Sequence, residues 1–183
     1  MRFEIPQTWT TQSPDRECGN CYACCVHLGI TELKKYTGQT CKHLNGIDST
    51  KRCSIYSSRP SACSGYFCLW RAGWGPEGLR PHDSGILITG YDSERNPGTK
   101  VSMTVNVFDK KLAEPHITNV VGELITLPVV DEVRLVFVAT KKATMFREGH
   151  IYDCKLLPQE GYESLTFLAD TTPVGKYSVE VQK

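Results

Sequence analysis

The sequence predicts an α+β protein: a small cysteine-rich, metal-binding N-terminal region of short helices and loops, followed by a mainly antiparallel β layer with one helix. Three observations carry this reading. Eight of the nine cysteines lie between Cys18 and Cys68, within 51 of the 183 residues. From Ile86 onward apolar residues recur with period two, as half-buried strands require. One later segment, opened by Pro115, instead places Ile117, Val120, Val121 and Leu124 at helical spacing.

Residues 1–17 are polar, carry Pro6 and Pro14 and show no sustained period, so they read as an entry arm from which Trp9 docks on the domain. Residues 18–85 form the cysteine-cluster metal-binding region. Its first part, CGNCYACCVHLGITELKKY, suits a short helix ended by Gly29, or a tight ligand loop that becomes a helix. On a continuous helix at about 100° per residue, Cys18, Cys21 and Cys25 share one stripe and Cys24 is displaced from Cys25 by about 100°. The adjacent thiolates Cys24 and Cys25 are therefore expected to serve different metal positions.

Residues 38–52 are rich in Gly, Asn, Ser and Thr and read as a loop that delivers Cys41 and Cys53. Ser57, Ser58 and Pro60 mark a helix start, since serine caps a helix and proline is tolerated in its first turn. Cys63 sits on that helix. The helix is expected to end near Gly65, or else Cys63 and Cys68 bind on different sides. The Gly- and Pro-rich stretch 71–85 reads as the connector to an α+β region over residues 86–183. There Val101, Met103, Val105 and Val107 alternate with polar residues, Val133, Leu135 and Phe137 begin a second strand, and Tyr177, Val179 and Val181 make a third. Residues 86–91 and 150–157 are weaker strand candidates.

Thiolates are strong ligands, and Cys-x2-Cys spacing lets two of them converge on one ion; tetrahedral zinc takes four. Eight cysteines satisfy two such ions, which leaves His27 and His43 dispensable as ligands. The run Cys18-x2-Cys21-x2-Cys24 also matches the first three ligands of a ferredoxin-type iron–sulfur cluster, although no Cys-x3-Cys-Pro follows. The chain is thus expected to hold zinc or iron ions at Cys18, Cys21, Cys24, Cys25, Cys41, Cys53, Cys63 and Cys68, with an iron–sulfur or multinuclear redox enzyme as the alternative. Tyr56 and Phe67 are expected to pack around the site. Trp70 and Trp74 pack against the cluster or line a pocket, His82-Asp83 marks a turn after Pro81, and Cys154 is a small core residue on a strand. His116 and His150 read as structural or solvent-facing.

The order Cys18-x2-Cys21-x2-Cys24-Cys25, Cys41 with Leu44, Cys53-Ser-Ile-Tyr56, Arg59-Pro60-x2-Cys63 and Phe67-Cys68 resembles the CxxCxxCC cysteine-cluster (YkgJ-like) proteins, a zinc- or iron-chelating family. All eight cysteine positions of that pattern are occupied over roughly residues 18–70, and Ser64 stands where the family often has arginine. The resemblance implies a metal and leaves its purpose open.

Charge excludes some classes. The formal net charge is +1 and no basic stripe is present, so no nucleic-acid partner is expected. No apolar run has the length of a membrane span and the first residues lack a signal-peptide core, so the protein is expected to be cytoplasmic, with no membrane partner. In such a compartment clustered cysteines more often mean metal than disulfides. Residues 1–85 carry ten Lys and Arg against seven Asp and Glu. Eight thiolates and two divalent ions would shift that +3 to −1. Nearby cations, chiefly Arg59 with Lys42, Arg52 and Arg71, are expected to offset the sulfur charge, and Arg59 to hold ligands in place by hydrogen bonds.

Overall fold

The computed structural model describes residues 16–46, 52–156 and 167–177. The cysteine-bearing half contains three helices of about one turn, α1 (Ala23–His27), α2 (Ser61–Ser64) and α3 (Pro81–Ser84), with 3-10 turns at Thr31–Leu33, Tyr56–Ser58 and Glu77–Leu79. The rest is a mixed sheet with one long helix, α4 (Lys110–Thr126). Its strands are β1 (Ile86–Asp92), β2 (Val101–Val107), β3 (Val130–Phe137), β4 (Lys142–Arg147), β5 (His150–Leu156), β6 (Phe167–Ala169) and β7 (Gly175–Lys176). They are ordered β1-β2-β3-β4-β5-β6, and β7 pairs with β5.

Five of the six ladders are antiparallel, as expected, and the exception has a topological cause. β2 and β3 run parallel, so the chain must return across the sheet between them, and α4 makes that crossing. The helix starts five residues before Pro115, because Asp109 caps it: the carboxylate accepts from the backbone N–H of Lys111 at 3.0 Å and of Leu112 at 3.2 Å. Ala113, Val120, Val121 and Leu124 form its buried face. They pack on Ile86, Ile88, Met103, Val105, Val107, Val133 and Leu135, the residues that alternation places on one side of the sheet.

β4 has no counterpart in the sequence reading. Its residues, KATMFR, lack the β-branched run that marks β2, and they become a strand by pairing with β3 on one side and β5 on the other. The expected third strand is not seen at Tyr177, which lies one residue past β7; Val179 and Val181 lie outside the described residues, as do Trp9 and the rest of 1–15. Among the described residues no helix is long and apolar enough to cross a membrane.

The stretch read as a connector is instead part of the core. Leu69, Trp70, Trp74 and Leu79 pack with the sheet and α4, with Cys68 against the same cluster. The backbone N–H of Leu69 donates to the Ile88 carbonyl at 3.1 Å, which ties the cysteine-bearing half to β1. Arg16 reinforces the turn beyond. Its guanidinium donates to the carbonyls of Trp70, Trp74 and Gly75 at 3.1, 3.3 and 2.8 Å and lies 5.1 Å from the Trp70 ring centroid.

Gly85 closes this junction, ending α3 at φ +68° and accepting at its carbonyl from the Phe108 N–H at 3.0 Å. A Cβ there would stand 2.5 Å from the Asp109 carbonyl oxygen. Left-handed backbone costs an alanine about 1–2 kcal/mol and the clash adds to it. Gly85→Ala is expected to lower stability by about 2–4 kcal/mol in urea denaturation, and an unchanged midpoint would refute the tight junction.

Candidate metal centre

The first ligand segment is a turn and then one helical turn. The Cys21 N–H donates to the Cys18 carbonyl at 2.8 Å, with Gly19 between them at φ +53°. Arg80 holds this turn, donating from Nη2 to the Cys18 carbonyl at 2.7 Å and to the Asn20 side-chain oxygen. Helix α1 begins only at Ala23, so Cys18 and Cys21 precede it and the expected stripe of Cys18, Cys21 and Cys25 does not form. Gly29 is not the stop either, for the helix ends at His27 with Leu28 already extended.

From α1 the chain leads to a small bridge between Ile30 and Lys35, and the Cys25 carbonyl then receives the Cys41 N–H at 2.8 Å. A second bridge, Leu44 to Cys53, brings the two arms of the loop together, as expected of irregular backbone. Cys63 lies on α2, which starts after Pro60 with neither Ser57 nor Ser58 as its cap and ends at Gly65. Glu32 anchors that helix: its carboxylate accepts from Ser61 Oγ at 2.8 Å and from the Ala62 N–H at 3.4 Å.

The electrostatic neighbourhoods divide the eight thiols. Cys21, Cys24 and Cys68 each respond to Cys18 or to one another. Cys63 responds to Cys25, Cys41 and Cys53, and Lys35 responds to Cys41, Cys25 and Cys63, with Cys24 also in reach. Two neighbourhoods emerge, Cys18/Cys21/Cys68 and Cys25/Cys41/Cys53/Cys63, with Cys24 next to both. They meet at the Cys24–Cys25 contact, where the Cys24 thiol donates a hydrogen bond to the Cys25 sulfur.

That contact pushes the Cys24 thiol well above the ordinary range, with burial adding to it. It lowers Cys25 to about 7, helped by the charges of Lys35 and Arg59. Burial raises Cys21 although the backbone N–H groups of Ala23 and His82 point at its sulfur, and burial takes Cys68 to about 11. Cys63 is also pushed up, first by burial and then by Cys25, Cys41 and Cys53.

The charge of Arg59 helps lower Cys25, and its guanidinium lies 3.7 Å from the Tyr56 ring centroid. Arg71 acts on Cys68 and covers the Phe67 ring at 4.6 Å. Arg52 covers Tyr22 at 5.3 Å and donates to the Gly46 carbonyl at 3.3 Å. Lys42 is exposed beside Cys41, in the wall of a cavity of about 50 Å³. Tyr56 corrects the packing expectation, being 58% exposed.

Two cations were not legible in the sequence. Lys35 is only 3% exposed, its ammonium donates to the Leu28 carbonyl, and burial lowers its pKa against the pull of the thiols. Nothing in LKKY separates it from an ordinary surface lysine; the bridge between Ile30 and Lys35 turns it inward. Arg80 acts on Cys21 from a stretch read as a connector.

His27 stacks on Phe108 with ring centroids 4.1 Å apart, and burial holds its pKa down to about 4. The His43 backbone N–H donates to Cys41 Sγ at 3.4 Å. Cys154 stands apart on β5 between Ala143 and Ala169, with no cysteine among its electrostatic neighbours. A larger cavity, of about 350 Å³, is lined by Lys100, Ile125, Asp131, Phe146 and Tyr177. Its Asp131 carboxylate is already taken by Ser93 Oγ at 2.6 Å and Asn96 Nδ2 at 2.9 Å.

Among the described residues no three of the His, Cys, Asp and Glu side chains close around a common metal position. The cysteines gather without coordinating. The donor chemistry nevertheless fits a thiophilic ion, because eight thiols are collected beside Lys35, Arg59, Arg71 and Arg80. Buried donor atoms are also left over: Arg59 Nε, Arg80 Nε and Tyr66 Oη have no hydrogen-bond partner. Buried donors normally find an acceptor, and metal-bound thiolates are acceptors.

Compared with protein-family models, curated proteins and solved structures, the chain gives no match.

The thiol ranking is open to test. In metal-free protein, iodoacetamide is expected to label Cys25 ahead of Cys68, with the Cys25 rate half-maximal near pH 7, because the thiolate is the nucleophile. Equal rates for the two, read by peptide mass spectrometry between pH 6 and 9, would overturn the ranking.

Proposed function

We propose that this chain is a metal-binding protein whose cysteine region holds zinc or iron through two sets of four thiolates, in keeping with its motif resemblance to the CxxCxxCC proteins. The supporting observation is the gathering of thiols from separate segments, Cys24 beside Cys25, Cys18 and Cys21, Cys68 near Cys21 and Cys18, and Cys63 near Cys25, Cys41 and Cys53. Four sulfurs are the complement of one tetrahedral ion. On binding, the ligands lose their protons and the sulfurs draw together. Lys35 and Arg59 then offset the charge of the second set, and Arg80 and Arg71 that of the first.

The ion would supply cross-links between segments that share little apolar contact. Before Leu69, only Ala23 and Cys41 are buried hydrophobic residues among the described ones. Residues 38–46 and the strand of chain at Cys53 are held chiefly by backbone bonds such as Leu44 N–H to Cys41 carbonyl at 3.0 Å. A redox reading is favoured by one observation: Cys18, Cys21 and Cys24 are spaced as in a ferredoxin, and the remote Cys68 lies near Cys21 and Cys18. In that reading the first set carries an iron–sulfur cluster and supplies electron transfer.

Metal analysis of protein purified without oxygen is expected to find about two zinc ions per chain in colourless protein, by four-sulfur coordination. Brown protein with sulfide and charge-transfer absorption would select the iron–sulfur reading. Protein that takes up no zinc or iron on reconstitution, or whose residues 18–70 resist protease equally with and without chelator, would overturn metal-dependent ordering.

Arg59 provides a separate check. Arg59→Ala is expected to weaken metal binding by about 10-fold or more in chelator competition, and Arg59→Lys to recover only part of the loss because lysine lacks the planar fork. Unchanged affinity in both variants would return Arg59 to stacking on Tyr56 alone.

A further inference from the structure

The cavity of about 350 Å³ opens where α4 ends and β2 and β3 begin, at the opposite end of those strands from Gly85. Small-molecule sites commonly occupy about 300–1,000 Å³. Its apolar lining is Ile125, Val130 and the rings of Phe146 and Tyr177, whose centroids lie 5.9 Å apart at an interplanar angle of 67°. Two rings so placed form a corner, in which one offers a face and the other an edge. Charge is supplied at the same cavity by Lys100, Asp131, Glu132 and Glu148.

Each of these carboxylates already has its partners. Asp131 accepts from Ser93 Oγ at 2.6 Å and Asn96 Nδ2 at 2.9 Å, and Glu148 pairs with Arg95 at 2.7 Å. The two oxygens of Glu132 meet Arg134 and Arg147. Lys100 is the exception: among the described residues its ammonium has only Asp131, at 3.9 Å, which is too far for a hydrogen bond. Arg95, Lys100, Arg134 and Arg147 set against Asp131, Glu132 and Glu148 leave one positive charge in surplus. The backbone of Lys100 is also fixed, its N–H donating to the Asn96 carbonyl at 3.1 Å and its carbonyl accepting from the Ser93 N–H at 2.9 Å. A cation held beside an apolar cavity in this way needs little rearrangement to receive an anion.

We propose that this cavity binds a small organic monoanion, a carboxylate carried on an apolar body, with Lys100 meeting the carboxylate and the corner of Phe146 and Tyr177 packing the body. The bond to the ligand is charge-assisted and gives the Lys100 ammonium the close partner it lacks. A phosphate ester, with about two negative charges, exceeds the single charge in surplus. An ammonium ligand finds each carboxylate already engaged. The site lies apart from the cysteines and holds whether or not they bind metal.

The probe is 3-phenylpropionate, titrated into the full chain with methyl-labelled isoleucine and valine and followed by NMR. Saturable binding that shifts the Ile125 and Val130 methyl signals is expected. The neutral 3-phenylpropanol is expected to bind about 10-fold more weakly, and 3-phenylpropylamine more weakly still. Lys100→Met is expected to weaken the acid by about 10-fold or more while leaving the alcohol unchanged, and Lys100→Arg to recover part of the loss. Lys155→Met, which removes an exposed ion pair with Asp170 elsewhere on the sheet, is expected to change nothing. If Lys100→Met fails to fold, the ranking of acid, alcohol and amine on the parent decides alone. An amine that binds as tightly as the acid, an acid that binds no tighter than the alcohol, or acid binding untouched by Lys100→Met would overturn the assignment. So would acid binding that leaves the Ile125 and Val130 signals in place, or no saturable binding of the acid.

Discussion

Leu69, Trp70, Trp74 and Leu79 bury against β1, β2 and α4, and the cysteine-bearing half has little else apolar to hold it in place. Hydrophobic burial scales with the area removed from water, so a segment with few buried side chains cannot offset the entropy of ordering its own backbone. Its order therefore depends on this strip, on the Leu69–Ile88 backbone bond and on the Arg16 clamp over the turn that follows. The same dependence explains why Gly85 sits where it does. α3 must turn directly into β1 while the start of α4 presses on the turn, and only a residue without a side chain admits that approach.

The two cysteine sets occupy unlike surroundings. In the first, Cys21 and Cys68 keep their protons because burial disfavours the thiolate. A metal bound there would have to displace those protons, and its binding would become easier as pH rises. The second set has the buried ammonium of Lys35 and the guanidinium of Arg59 close by, and Cys25 ionises near neutrality. Because Cys24 and Cys25 share a hydrogen bond, charge placed on one set is felt by the other.

The sheet was the most legible part of the fold. Alternation in β2 survives folding because one side of that strand faces α4 and the other does not, so the chemistry of each side chain records its face. β4 was illegible for the opposite reason. Its neighbours on both edges make it a strand, and a strand stabilised by pairing needs no strong propensity of its own. The start of α4 lies between these cases: the Asp109 cap was present in the sequence, and Pro115 drew attention away from it.

By itself the sequence determined the number and types of the thiols, their crowding into one segment and the period of the strands. These are local properties, set by composition and by the geometry of consecutive residues. Only the tertiary structure decided that Cys68 lies near Cys21 and Cys18 while Cys63 lies near Cys25, Cys41 and Cys53. It also decided that Lys35 is buried near them rather than left in water. The physical reason is the path of the backbone. Spacing along the chain predicts direction only within a continuous helix, and the cysteines are delivered by turns and short bridges whose course is set by Arg80, Glu32 and the packing of Leu69 to Leu79.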